Sequence, residues 1–205
     1  MIPYGRQKIS PADIDAVVDV LNSDYLTQGG VTTAFEQAVA EVGGCRFGVA
    51  YNSATSALHA ACLALDVNEN SRVCVPAISF VATANCAEYC GASVDFVDVE
   101  TDTGNICPLA LDAKLQDADS RGVLPDVVIV VHYAGSYCDL PAIHTLSERY
   151  GFKVIEDACH ALGAEAPTTW PTGLFSEIKI FSFHPVKIIT TAEGGLATTN
   201  QAELA

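Results

Sequence analysis

The chain has 205 residues, of which 50% are hydrophobic and 17% are charged. This length suffices for one large domain or two small ones, and the composition excludes a disordered, collagen-like or coiled-coil chain. Asp and Glu number 25 against 10 Lys and Arg, a net charge of −15, so we expect no basic surface for nucleic-acid phosphates. The sequence has neither an apolar run of membrane-spanning length nor a signal-peptide pattern at its start, which favours a cytoplasmic protein without a membrane partner.

The eight cysteines do not form the pairs that are typical of a disulfide framework or a zinc site. No Cys-x-x-Cys pair occurs in the sequence. Cys86 and Cys90 are four residues apart and could share a helix face, but no histidine or second pair completes a zinc ligand set. We therefore expect no metal site.

The first predicted elements are two helices. Ser10 followed by Pro11 is typical of a helix start, and apolar residues then recur at helical spacing as far as Leu21. The sequence TQGG at 27–30 predicts a turn that ends this unit. A second helix is predicted over 33–42, where two glycines close it.

Strands and helices then alternate along the chain. Strands are predicted at 47–51, 72–75, 93–97, 126–131, 152–155, 177–181 and 195–199, and helices at 52–65, 80–89, 109–117 and 139–150. Strands separated by helices of this length predict an α/β fold with a mostly parallel, seven-stranded type of sheet flanked by helices. In such sheets ligands bind outside the carboxyl ends of the strands. The polar segments that follow strands are therefore the first candidates for a site: 52–56, 132–133, 156–157 and 182–187.

Two of these segments have an ordinary structural explanation as well as a functional one. The small residues of 52–56 would let backbone N–H groups approach an anion at a helix N-terminus. No Gly-Lys-Ser/Thr follows, so the segment is not a P-loop, and simple helix capping remains the alternative. The carboxylates of Glu156 and Asp157 could bind a metal, a ribose or a cationic ring nitrogen, or could cap a helix.

Lys187 has the most unusual context of the basic residues, because Ile188 and Ile189 follow it directly. A charged lysine is costly to bury in an apolar setting. Desolvation favours the neutral amine, which is the nucleophile that Schiff-base chemistry needs. The alternative is a solvated lysine on a loop.

The three segments make more chemical sense together. An anion-binding helix start, a carboxylate after a strand and a lysine in an apolar loop are the protein's part of a pyridoxal phosphate (PLP) site. The helix start would hold the phosphate, the carboxylate would keep the ring nitrogen protonated, and the lysine would react with the aldehyde.

Four motifs in order resemble the DegT/DnrJ/EryC1/StrS family of sugar aminotransferases. They are NSATSAL at 52–58, PAISFVATAN at 76–85, EDACHALG at 156–163 and FSFHPVK at 181–187, with TTAEGG at 190–195 extending the last. The resemblance covers essentially the whole chain. Details such as LTQG at 26–29 and His160 are most similar to the pseudaminic-acid branch of the family.

The resemblance implies a fold type I (aspartate aminotransferase-like) PLP enzyme and assigns roles to single residues. Lys187 would be the catalytic residue and would form a Schiff base with PLP. Asp157 would pair with the pyridinium nitrogen, His160 would lie near the ring hydroxyl, and Phe80 would stack on the ring. The phosphate would be held by Ala54, Thr55 and Ser182. The sugar-nucleotide pocket would be approached by Tyr4, Thr27, Gln28, Gly29 and Ser56.

The implied reaction is transfer of an amino group from L-glutamate to C4 of a UDP-linked 4-keto-6-deoxy amino sugar, carried out by a homodimer. The family's chains are usually longer than this one. We therefore expect residues 1–205 to comprise the N-terminal part and most of the PLP-binding large domain, without the small C-terminal domain. Asn200 followed by Glu203 predicts a helix start at the end of the chain. The alternatives are a truncated, non-catalytic fragment with the PLP fold, and a PLP enzyme that acts on amino acids.

Overall fold

The computed structural model describes residues 5–165 and 175–205. Its helices are α1 (Pro11–Leu21), α2 (Gly30–Val42), α3 (Ala54–Ala64), α4 (Val81–Glu88), α5 (Pro108–Ser120) and α6 (Leu140–Tyr150). Its strands are β1 (Phe47–Tyr51), β2 (Arg72–Pro76), β3 (Ser93–Val97), β4 (Val127–Val131), β5 (Lys153–Asp157), β6 (Ile178–Ser182) and β7 (Gly195–Thr199). Two short 3-10 helices span Tyr133–Gly135 and Ala202–Leu204.

The strands form one sheet of seven in the order β1-β7-β6-β5-β4-β2-β3. The neighbours β3, β2, β4, β5 and β6 are parallel, whereas β7 runs antiparallel to both β6 and β1. Six strands therefore share one direction and end at the same edge of the sheet. The predicted α/β fold with a mostly parallel, helix-flanked sheet is confirmed.

Helices cover the sheet on both faces, and each face has its own apolar core. One core joins α3 and α4 to residues such as Ile129 and Ile155, and the other joins α5 and α6 to residues such as Val128 and Val130. Strand β4 contributes to both cores because its residues alternate between the faces and all five are buried. No helix within the two described stretches is both long and apolar enough to cross a membrane.

The two N-terminal helices differ in part from their prediction. Helix α1 begins where Ser10 and Asp13 form a reciprocal capping box, but none of its residues is buried. Helix α2 begins at Gly30 rather than at residue 33, so the predicted start was wrong by almost one turn. Gly29 has extended backbone, and its carbonyl already accepts hydrogen bonds from the N–H groups of Thr32 and Thr33. The helix therefore starts earlier in the chain than predicted.

The helix start predicted at Asn200 was also wrong. The segment forms only the short 3-10 helix Ala202–Leu204. The Asn200 side chain accepts a hydrogen bond at 2.9 Å from the backbone N–H of Arg46, which lies just before β1. A tertiary contact to a neighbouring strand therefore uses the oxygen that a capping box would need.

Candidate active site

A cavity of about 500 Å³ opens at the edge where the six strands of common direction end. Its walls come from the ends of β4, β5 and β6, from the starts of α3 and α4, and from the loop between β6 and β7. The lining residues are Ser53, Ala54, Thr55, Leu58, Ser79, Phe80, Ala82, Val131, Tyr133, Asp157, Cys159, His160, Ser182, His184, Val186, Lys187, Glu193 and Gly194. All seven residues predicted to bind the cofactor are in this set, although they lie up to 133 positions apart in the sequence. The volume is in the range of ordinary small-molecule sites.

The N-terminus of α3 forms one wall. Ser53 caps the helix, and its hydroxyl accepts a hydrogen bond at 3.1 Å from the N–H of Ser56. Ala54 and Thr55 occupy the first two helical positions, whose N–H groups have no partner within an α-helix. These donors and the helix dipole suit a negatively charged group such as a phosphate.

Gly195 allows β7 to lie directly against this helix start. A Cβ placed on Gly195 would collide with the backbone of Ser53 and Ala54. Gly195 also pairs with Ser182 on β6, so Ser182 lies near the same helix start and lines the cavity with it. A side chain at position 195 would push the two parts of this wall apart.

Asp157 lies at the end of β5 and is 4% exposed. Its Oδ2 accepts a hydrogen bond at 2.8 Å from the Thr83 hydroxyl, and its Oδ1 accepts one at 3.2 Å from the N–H of Cys159. Burial, followed by the charge of Asp157, raises the pKa of the Cys159 thiol well above its ordinary value. Cys159 is therefore a neutral wall of the cavity rather than a nucleophile.

Glu156, the neighbour of Asp157, points to the opposite face of the sheet. Its Oε2 lies 2.7 Å from His132 Nε2 and 3.4 Å from Lys179 Nζ, and its Oε1 accepts a hydrogen bond from Ser176. Burial alone would raise the pKa of Glu156, but the hydrogen bond from His132 and the Lys179 charge lower the pKa to about 2. Of the carboxylate pair singled out in the sequence, only Asp157 reaches the cavity.

The cavity lysine and histidine come from two loops that meet at the sheet edge. Lys187 is half-buried, and its backbone N–H donates to the carbonyl of His184 at 2.9 Å. Burial and the nearby Lys187 charge lower the pKa of His160, against the opposing effect of Asp157. His160 is therefore neutral near pH 7. Ile188 and Ile189 are more than half exposed, so they do not form the apolar enclosure that the sequence predicted for Lys187.

A second, smaller cavity of about 270 Å³ adjoins the first on the side of Tyr133 and Lys187. The turn that carries Tyr133 is held by the buried side chain of Asn105. That side chain accepts from the Tyr133 N–H at 2.9 Å and donates to the carbonyls of Ser136 and Tyr137 at 3.1 and 3.0 Å. Tyr133, which lines both cavities, is thereby held at their junction.

Of the residues predicted for the sugar-nucleotide pocket, the four that the structure describes, Thr27, Gln28, Gly29 and Ser56, do not line either cavity. Tyr4 lies outside the described residues. Thr27, Gln28 and Gly29 lie on the turn between α1 and α2, where Thr27 and Gln28 are exposed. The Ser56 hydroxyl donates to Asn52 Oδ1 at 2.6 Å rather than facing the cavity. Their substrate roles remain predictions.

Several lining or supporting residues were not singled out from the sequence as site residues. Glu193 and Gly194 belong to the motif TTAEGG, and Tyr133 belongs to a polar segment that follows a strand. These three lining residues could therefore have been found from the sequence. Thr83 lies within the motif PAISFVATAN, but nothing local to it pointed to the site, because a threonine in an alanine-rich helix is typical of ordinary packing. Among residues 5–165 and 175–205, no group of three or more His, Cys, Asp or Glu is arranged to hold a metal ion, and the eight cysteines are free thiols.

The architecture is that of the fold type I aminotransferases, the class to which its structural neighbours belong. The model of the DegT/DnrJ/EryC1/StrS aminotransferase family matches residues 7–205. The chain belongs to this family, whose aminotransferases are PLP enzymes.

Three relatives give the likeness in detail. The chain is 40% identical, over its whole length, to the UDP-4-amino-4,6-dideoxy-N-acetyl-β-L-altrosamine transaminase of Campylobacter jejuni strain 81-176, and it spans 53% of that protein. Helicobacter pylori PseC, an aminotransferase involved in pseudaminic acid biosynthesis, is 34% identical with a TM-score of 0.87, over 98% of this chain and 53% of PseC. The sugar aminotransferase Spr1654 of Streptococcus pneumoniae, in its pyridoxamine phosphate (PMP) form, is 29% identical with a TM-score of 0.86. The match covers 100% of this chain and 54% of the Spr1654 chain. The chain thus spans about half the length of the relatives it matches.

Proposed function

We propose that this chain forms the PLP-binding part of a nucleotide-sugar aminotransferase. The enzyme would transfer the amino group of L-glutamate to C4 of a UDP-linked 4-keto-6-deoxy amino sugar. The observation that carries the proposal is that Lys187, Asp157 and the start of α3 line one cavity at the carboxyl edge of the sheet. Similarity to a UDP-sugar transaminase supports the substrate class.

The cavity residues fit the chemical groups of PLP. The start of α3, with Ser182 beside it, offers hydrogen-bond donors for a phosphate. Gly195 has no side chain, so β7 can pack directly against this helix start. Asp157 offers a buried carboxylate to a protonated ring nitrogen. Phe80, which is 68% exposed and precedes α4, offers an aromatic face at the open side of the cavity. When bound, PLP supplies an electron-withdrawing ring that carries the amino group between the two substrates.

Lys187 has the central chemical role in this proposal. Its Nζ is the cavity amine that would hold the cofactor, and it would afterwards move a proton at the substrate carbon that loses or gains the amino group. Neutral His160 lies beside it without adding a positive charge. The half-buried position of Lys187 leaves it within reach of substrates that enter through the open side.

We also propose that the whole protein is a homodimer in the cytoplasm. Family membership and the exposed apolar residues Ile188 and Ile189, next to the cavity lysine, support this assembly. Light scattering on the whole protein should give twice the mass of one chain. A monomer at micromolar concentration would contradict the proposal.

The function is tested by loading the purified chain with PLP and following its visible absorbance. We expect the band of a lysine-linked pyridoxal, and borohydride reduction should fix the cofactor mass on the peptide that contains Lys187. Lys187→Ala should abolish both signals. The matched control is Lys153→Ala, which removes an exposed lysine at the start of β5 and should leave both unchanged. A band that survives in Lys187→Ala would overturn the assignment.

The substrate class needs its own assay on the whole protein. Release of 2-oxoglutarate from L-glutamate should depend on a UDP-linked 4-keto sugar, and the amino sugar should appear in equal amount. Turnover with amino acids alone, and none with the UDP-sugar, would instead support the alternative of a PLP enzyme that acts on amino acids.

A further inference from the structure

Thr83 is a buried polar residue that contacts the cavity carboxylate from behind. It lies on α4, is 0% exposed, and does not line the cavity itself. Helix α4 turns Ala82, Thr83, Cys86 and Ala87 towards the core, and in that otherwise apolar or weakly polar face only Thr83 carries a hydroxyl. That hydroxyl donates to Asp157 Oδ2 at 2.8 Å.

The contact determines the orientation of the Asp157 carboxylate together with a second donor. The N–H of Cys159 holds Oδ1 at 3.2 Å, so each carboxylate oxygen has one protein donor. A carboxylate oxygen can accept about two hydrogen bonds, and therefore each oxygen keeps acceptor capacity. Because Asp157 lines the cavity, this remaining capacity is available to a ligand there.

The Thr83 hydroxyl also offsets part of the cost of burying a carboxylate that is 4% exposed. Burial disfavours the charge of an unpartnered carboxylate, and donors to its oxygens offset that cost. Hydrogen bonds to charged groups are stronger than neutral ones. Loss of the Thr83 hydroxyl would therefore leave Oδ2 buried without its donor and free the carboxylate to rotate.

We propose that Thr83 is a positioning residue for the ring nitrogen of the cofactor, and that it acts by holding the Asp157 carboxylate aimed into the cavity. This inference rests on the function proposed above. It concerns a residue that never touches the cofactor and contributes only through Asp157.

The test measures cofactor affinity of the 205-residue chain by absorbance or fluorescence titration with two probes. One probe is PLP, and the other is its analogue with carbon in place of the ring nitrogen, which cannot pair with Asp157. Thr83→Val removes the hydroxyl and nearly keeps the volume, and Thr83→Ser keeps the hydroxyl. The matched control is Thr198→Val, because Thr198 is 1% exposed and its hydroxyl donates to the carbonyl of Lys179 rather than to the site.

We expect Thr83→Val to bind PLP about tenfold more weakly than the unmodified chain. Thr83→Ser and Thr198→Val should stay within about twofold. Affinity for the carbon analogue should be the same, within about twofold, in the unmodified chain and in Thr83→Val. A purely structural role for Thr83 would instead weaken the binding of both probes equally.

Three results would overturn the inference: unchanged PLP affinity in Thr83→Val, equal weakening for PLP and the analogue, or equal weakening in Thr83→Ser. If Thr83→Val does not fold, as judged by circular dichroism, Thr83→Ala replaces it with the same expectations. Failure of the unmodified chain to bind PLP would overturn the proposed function as well. Normal binding with an unaffected Thr83→Val would overturn only the role of Thr83.

Discussion

Two carboxylates that are neighbours in the chain lie in two very different regions of this molecule. Glu156 belongs to a closed cluster with His132, Lys179 and Ser176 on the α5/α6 face of the sheet. Asp157 belongs to the wall of the cavity on the other side, where it keeps acceptor capacity for a ligand. The alternation of side chains along β5 separates them. Both groups are buried, so burial alone does not distinguish a structural carboxylate from one that is available for binding.

What distinguishes them is the set of partners. Glu156 faces a histidine, a lysine and a serine, all supplied by the protein, and its charge is compensated inside the fold. Asp157 accepts hydrogen bonds from the Thr83 hydroxyl and the Cys159 N–H, and among the residues that the structure describes no lysine or arginine forms an ion pair with it. A binding site for a cationic ring nitrogen needs this kind of uncompensated carboxylate.

The largest expected effect on stability comes from removing Glu156, the carboxylate of the closed cluster. Glu156→Ala leaves Lys179 buried without its partner, which should lower the free energy of unfolding by about 3–5 kcal/mol. Asp157→Asn is the matched variant on the cavity side and should change the free energy of unfolding by about 1 kcal/mol or less. The amide oxygen can still accept from the Cys159 N–H, and the Thr83 hydroxyl can turn to accept from the new amide N–H. Denaturant unfolding of the cofactor-free chain measures both. Similar losses for the two variants would contradict the division between the regions.

An intermediate effect is expected where the cavity wall meets the sheet. Gly195→Ala should destabilise the chain by about 1–3 kcal/mol, since the added methyl group collides with the backbone of Ser53 and Ala54. It should also weaken the binding of inorganic phosphate or PLP. Gly122→Ala is the comparison for an added methyl group that meets no neighbour, although its φ of 67° makes that site strained as well. A variant at position 195 with unchanged phosphate affinity would refute the role given to this wall.

The last expected effect leaves stability at neutral pH aside and is a difference in how steeply stability falls in acid. The pKa of Glu156 falls from its ordinary value of 4.5 to about 2 in the folded chain. Its stabilisation is therefore present above pH 4.5 and is lost as the pH falls towards about 2. Unfolding free energies measured across this window should fall less steeply in Glu156→Gln than in the unmodified chain.

Asp157→Asn serves as the control in the same acid titration, because it leaves the Glu156 cluster intact. Its stability should fall as steeply as that of the unmodified chain. Other acidic groups, such as Asp95 beside Lys114, titrate equally in all these proteins and cancel in the comparison. Equal slopes for the unmodified chain and Glu156→Gln would show that Glu156 does not contribute.

Much of the fold could be predicted from the sequence, because local patterns carry it. The five apolar residues of β4 and the glycine that ends α6 are explicit in the sequence. Two boundaries differ for different reasons. Asn200 accepts from the distant Arg46 N–H instead of capping a helix, whereas local hydrogen bonds to the Gly29 carbonyl start α2 three residues earlier than predicted. Lys187 and the pair Glu156-Asp157 could be singled out because they follow predicted strands, and the family resemblance then assigned the ring nitrogen to Asp157.

The sequence by itself determined the alternation of strands and helices, the edge of the sheet where chemistry would lie, and the types of residue that could bind PLP. Only the tertiary structure showed that Glu156 and Asp157 lie on opposite faces of the sheet with different partners, that Thr83 supports Asp157, and that Gly195 lets β7 approach α3. The physical reason is that these contacts join residues far apart in the chain. They depend on the twist, spacing and register of strands that local sequence patterns do not specify.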